Sequence, residues 1–136
     1  MDQGMGTAVS GCRIDTNVLI YHLAGALNNK AEAIFAESLK SGSHIFIITR
    51  IELLGWRKHS PASLAAAEEL LQVVTEIPLS EEITQLCIHY FRRAYPIKLP
   101  YAIIAATACH TGLPLMTRNT TDFAQIPELR CLNPFI

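Results

Sequence analysis

Mostly apolar runs of strand length alternate along this chain with stretches whose apolar positions recur every three or four residues. The first run, AVSGCRI (8–14), predicts a strand, and TNVLIYHLAG (16–25), after Asp15, predicts a helix closing at Gly25. NKAEAIFAESLKSG (29–42) is amphipathic: Ala31, Ile34, Phe35, Ser38 and Leu39 share one face, and Gly42 supplies the stop. HIFII (44–48) has the continuous apolar character of a strand covered on both faces. TRIELLGWRKH (49–59) follows as a helix, then SPASLAAAEELLQ (60–72) as another, with Ser60 as N-cap and Pro61 at the first helical position. The β-branched VVTEIPL (73–79) predicts a strand and SEEITQLCIHYFRRAY (80–95) a helix. PYAIIAATACHTG (100–112) is a further helix, with Pro100 at its first position and Gly112 at its end. LPLMT (113–117) and LRCLNP (129–134) read as late strands.

Strands that alternate with helices and are apolar on both faces predict a three-layer α/β/α sandwich around a central, mainly parallel sheet. Residues 1–11 read as a ragged leader and 12–136 as a single domain, of a length that can bury a genuine core. Ligands in such sheets sit beyond the carboxyl ends of the strands. That rule decides which polar residues matter.

Composition narrows the function. Half the residues are hydrophobic, 17% are charged and the formal net charge is -1. Disorder is excluded, and so is a protein that holds nucleic acid by bulk positive charge; any such contact has to be local. The four cysteines and five histidines fall in no zinc-ligand spacing, so free thiols in a reducing cytoplasm are the expectation. No apolar run reaches the ~18 residues of a membrane span, and no membrane partner is expected.

The chain has three aspartates, Asp2, Asp15 and Asp122. Asp15 directly follows the first strand, Glu52 follows the second by about a turn of helix, and Asp122 follows the late strand LPLMT. Three acids from distant sequence thus reach one edge of one sheet. Gathering like charges is costly unless a cation is bound, and hard oxygen donors select Mg²⁺ or Mn²⁺. Each acid has a plainer explanation. Asp15 can cap its helix, Glu52 stands three residues after Thr49 as in a T-x-x-E capping box, and Asp122 can cap a turn. Thr16, Asn17, Thr117 and Asn119 are polar neighbours able to orient water or phosphate, and Arg118 is a candidate for bidentate phosphate binding. Ordinary loop hydrogen bonding explains them equally well. Arg92 and Arg93 read as a solvated helix face, and Trp56, Tyr90, Phe91 and Tyr95 as core or partner-facing.

At these residues the chain resembles a known family. RIDTNVLI, ITRIELLGW, LPYAIIAATACHTGLPLMTRNTTDF and LNPF are similar, in order and interval, to the motifs of the PIN domain, specifically VapC-type toxins of toxin–antitoxin systems. The resemblance runs from about Ile14 to Phe135. It implies a PIN-like fold, a Mg²⁺ or Mn²⁺ site of three or four acids, and endoribonuclease activity. It also implies a VapB-like antitoxin that lays a peptide over the site, and a homodimer. By position, Asp15, Glu52 and Asp122 correspond to metal-binding and catalytic acids, with Asn119 where many relatives have aspartate. Tyr101 is the departure: relatives open this helix LPDA, and here it reads LPYA. A phenol is neutral near pH 7 and a poor ligand for Mg²⁺, so the site is expected to be impaired. Aspartate and tyrosine codons differ by one base, which makes Tyr101 readable as an inactivating change on an active scaffold.

Two functions therefore compete. One is a metal-dependent ribonuclease, in which the acids hold the ion and Thr117 or Asn119 orients water or phosphate. The other is a non-catalytic PIN-like module that retains antitoxin and RNA binding. A phospho-acceptor domain would need adjacent acids after the first strand and a lysine after a late one, and both are missing. Neither G-x-x-x-x-G-K-[ST] nor G-x-G-x-x-G occurs, so nucleotide-binding loops are excluded.

Overall fold

A computed structural model of the protein describes residues 11–92 and 97–135. The elements run β1 (Arg13–Ile14), α1 (Thr16–Leu23), α2 (Asn29–Lys40), β2 (His44–Phe46), α3 (Ile47–Leu54), α4 (Pro61–Leu71), β3 (Thr75–Ile77), α5 (Glu81–Phe91), α6 (Leu99–Thr111), β4 (Leu115–Met116) and β5 (Cys131–Leu132). The strands form one sheet in the order β3-β2-β1-β4-β5, and each neighbouring pair is parallel.

Period-two alternation in the strands splits the apolar side chains between two cores. Ile45 and Met116 join Ile14, Val18, Leu19, Ala31, Phe35, Leu53 and Ala67 on the face covered by α1 to α4. Phe46 and Leu115, their immediate neighbours in sequence, join Ile83, Tyr90, Ala105 and Phe123 on the face covered by α5 and α6. Helices on both faces of a parallel sheet make the expected three-layer sandwich. A fully buried Leu, Ile or Phe contributes about 1.5–3 kcal/mol, so both faces hold the sheet edge firmly.

Several boundaries differ from the pattern reading. α3 starts at Ile47, directly after β2, because HIFII carries no change of period to separate strand from helix. Its N-cap is Phe46 with no side-chain hydrogen bond, so the Thr49–Glu52 capping box does not exist: Thr49 lies inside the helix, fully buried. The same helix ends at Leu54, short of the predicted 59. Lys98 is the N-cap of α6, which puts Pro100 at its second position. All five strands are shorter than their apolar runs. Most of the predicted leader, residues 8–10 of the first predicted strand, and Arg93 and Tyr95 of the helix predicted over 80–95 lie outside the described residues.

Candidate functional site

β1 and β4 pair in register, Ile14 opposite Met116, so Asp15 and Thr117 leave the sheet side by side. Asp15 is the N-cap of α1 and is only 4% exposed. Its Oδ1 accepts the Thr16 backbone N–H at 2.8 Å. Its Oδ2 accepts the Thr117 hydroxyl at 2.9 Å and the Asn17 side-chain amide at 3.2 Å. The capping explanation therefore accounts for one oxygen and not for the other. Thr117 is itself fully buried and accepts the Asn119 backbone N–H at 2.9 Å, while the Asn17 amide approaches it at 3.1 Å. Burial raises the Asp15 pKa first; the Thr117 and Thr16 hydrogen bonds pull it back, and the charges of Glu52 and Asp122 push it up again.

Glu52 projects from the second turn of α3. The Thr16 hydroxyl donates to its Oε1 at 2.6 Å and lies 3.2 Å from the Thr49 hydroxyl. Thr16 thus spans the two acids, with its N–H on Asp15 and its O–H on Glu52. Thr49, which the sequence pattern assigned to a cap, instead supports this bridge.

Asp122 lies exposed on a turn in which its backbone N–H bonds the Asn119 carbonyl at 3.1 Å. Its carboxylate accepts a hydrogen bond from the Tyr101 hydroxyl. Tyr101, at the first turn of α6, packs edge-to-face on the buried Phe123 ring with centroids 5.3 Å apart. Burial raises the Tyr101 pKa, and so do the charges of Asp122, Asp15 and Glu52 together with that hydrogen bond. The phenol stays neutral and donates. Lys98 and Gln125 complete the cleft lined by Tyr101 and Asp122. Neither was anticipated, although Lys98 stands immediately before a helix that reaches this edge.

Asp15, Asn17, Glu52, Thr117, Asn119 and Asp122 are therefore brought to one mouth, with Tyr101 among them. Arg118 follows Thr117, but its side chain stacks on Tyr21 and Phe135. Among the described residues, no three His, Cys, Asp or Glu side chains stand close enough together to hold one metal ion. The acids share an opening without closing a cage.

Fold and site together define a parallel α/β/α protein with acids gathered at its strand ends. Among proteins so built, the chain belongs to the PIN-domain family, whose model matches residues 13–129. It is similar to a chain of a toxin-antitoxin complex from Klebsiella pneumoniae, at 30% identity over 92% of this chain and 98% of that one, with a TM-score of 0.73. The same fold recurs in DNA-bound VapBC from Salmonella typhimurium, at 21% identity, 91% and 98% coverage and a TM-score of 0.78. VapBC2 from Rickettsia felis, bound to a DNA fragment from the promoter, matches at 20% identity, 89% and 96% coverage and a TM-score of 0.74. No curated protein matches the chain significantly. The resemblance to PIN domains of the VapC kind is met over nearly the whole length.

Proposed function

We propose that this protein is a PIN nuclease of the VapC toxin type, an endoribonuclease built to work with Mg²⁺ or Mn²⁺, and that Tyr101 blunts its cutting. One observation carries this reading: Thr16 joins Asp15 and Glu52, acids from two remote segments, through its N–H and its hydroxyl, and the charge of Asp122 from a third segment bears on Asp15 as well. Repulsion of that kind is relieved by a cation, and carboxylate oxygens suit a small hard one. Mg²⁺ keeps several of its waters and rests on one or two carboxylates, so the Thr16-linked pair Asp15 and Glu52 would hold it, with Asp122 at the far side. When bound, such an ion supplies a water of lowered pKa and neutralises developing charge on a phosphodiester.

The chain's own residues prepare that chemistry unequally. Thr16, Asn17 and Thr117 direct three donors at Asp15, which favours its ionised form against burial and fixes the carboxylate plane. The Thr16 hydroxyl donates to Glu52 and orients its carboxylate toward Asp15. Asn119 would orient a water or a phosphate oxygen, whereas Thr117, fully buried with its hydroxyl given to Asp15, would act only by positioning that carboxylate. Tyr101 works against them: it keeps its proton and directs it at Asp122, occupying an oxygen lone pair that a ligand would need.

Likeness to chains from toxin–antitoxin complexes supports a VapB-like antitoxin as partner. A homodimer and a cytoplasmic location fit the same reading, and no helix among the described residues is long and apolar enough to cross a membrane. The test is Tyr101→Asp. Mg²⁺- or Mn²⁺-dependent RNA cleavage should rise on the order of a hundredfold over the unaltered protein. If the variant cuts no faster, a non-catalytic module that binds RNA and antitoxin becomes the better account. The Tyr101–Asp122 hydrogen bond is the observation that favours that second reading.

A further inference from the structure

Arg118 sits in an arrangement that sequence gave no hint of. Its guanidinium carbon lies 5.0 Å from the centre of the Tyr21 ring and 4.4 Å from that of Phe135. The two rings meet edge-to-face at 5.3 Å. Tyr21 stands one turn beyond Asn17 on α1, and Asn17 ties the stack to the acids. Its side-chain oxygen accepts the Arg118 backbone N–H at 3.2 Å, while its amide donates to Asp15 at 3.2 Å. Arg118 is exposed, and among the described residues no carboxylate lies within ion-pair distance of it.

Aromatic contacts engage the face of a guanidinium and leave its in-plane N–H donors for a planar anion. A clasp between α1 and the last residues needs only the two rings, which already touch. The added cation has a different use. Asp15, Glu52 and Asp122 at the same sheet edge repel a polyanion, and a net charge of -1 gives no general attraction to offset them. Rings next to a held cation are also the equipment with which proteins grip single-stranded nucleic acid.

We propose that Arg118, braced by Tyr21 and Phe135, binds an RNA phosphate next to the one presented to the acids. The inference rests on the reading of the chain as a protein that acts on RNA. Bracing lowers the entropy lost when the fork engages, and a bidentate grip fixes the strand's approach to Asp15.

The experiment is fluorescence anisotropy with a labelled single-stranded RNA of mixed sequence, using the full chain at several salt concentrations. Arg118→Ala should weaken binding on the order of tenfold and reduce the slope of log affinity against log salt by about 0.7. Arg118→Lys keeps the charge without the fork, so it should retain the slope and lose several-fold in affinity. It also carries the test should the alanine variant fold poorly. Arg57→Ala, an exposed arginine away from the stack, should change neither quantity. RNA affinity and slope unaltered in both Arg118 variants would overturn the inference even if their thermal midpoints fall, because Arg118 would then be only a clasp. Loss confined to the binding of an acidic peptide would overturn it in favour of a protein partner. No RNA binding by the unaltered chain would remove the proposed function itself, a different outcome from a variant that binds as well as its parent.

Discussion

The two sides of the cleft hold their acids in opposite ways. On the α1 side Asp15 is buried, and donors from Thr16, Asn17 and Thr117 converge on both its oxygens. On the α6 side Asp122 is exposed on a turn, and its side-chain partner is the hydroxyl of Tyr101. Donors supplied by the backbone and by residues next to the sheet keep a carboxylate charged and in place. A donor from a half-buried phenol at the position where an acid is expected adds bulk, occupies a carboxylate oxygen and brings no charge of its own. The cleft therefore looks complete from one wall and unfinished from the other.

The strongest way to break this contrast is to remove the floor under Tyr101. Phe123 is 1% exposed and packs among Ala102, Ile104 and Ile126 in the α6 core. Phe123→Ala should cost about 3–5 kcal/mol in urea unfolding, and it should free the Tyr101 ring. A midpoint close to that of the parent would mean that the α6 wall is not held by this packing. Thr117→Val tests the opposite wall. It removes a fully buried hydroxyl that serves Asp15 and the Asn119 N–H, and it should cost about 1–3 kcal/mol. A loss as small as that of an exposed threonine, Thr121→Val for example, would show that the Asp15 network contributes nothing to stability.

The smallest effect is one of pH. Because the folded pKa of Asp15 is raised above its ordinary value of 3.8, the native state binds this proton more tightly than the unfolded chain. Its contribution to stability is then greatest below that ordinary value and declines as pH rises through the raised one. Asp15→Asn should flatten this decline in a series of unfolding midpoints. An unchanged pH profile would place the charge cost on another group.

The alternation of strand and helix, and the placing of acids after β1, in α3 and after β4, were legible because apolar period and chain order fix them. The start of α3 was not. Ile45 to Ile48 are uniformly apolar, and only the packing of Ile45 and Phe46 on opposite faces tells strand from helix. The T-x-x-E pattern misled for the same reason. Once the helix begins at Ile47, Thr49 turns inward to Thr16, which leaves Glu52 free of a capping task. Tyr101 stood out only against the motif it interrupts; its hydrogen bond to Asp122, twenty-one positions away, depends on tertiary packing. The Tyr21–Arg118–Phe135 stack joins residues roughly a hundred positions apart, which no local pattern reports.

Asp15 and Glu52 are proposed to hold a divalent cation with Asp122 at the far side, a hold that Tyr101 keeps below strength. Isothermal calorimetry with Mn²⁺ tests it on the parent, on Tyr101→Asp, and on Tyr101→Asp combined with Asp15→Asn. The account predicts weak binding by the parent, at least about tenfold tighter binding by the single variant, and loss of that gain in the double. Equal Mn²⁺ affinity in all three proteins would contradict it.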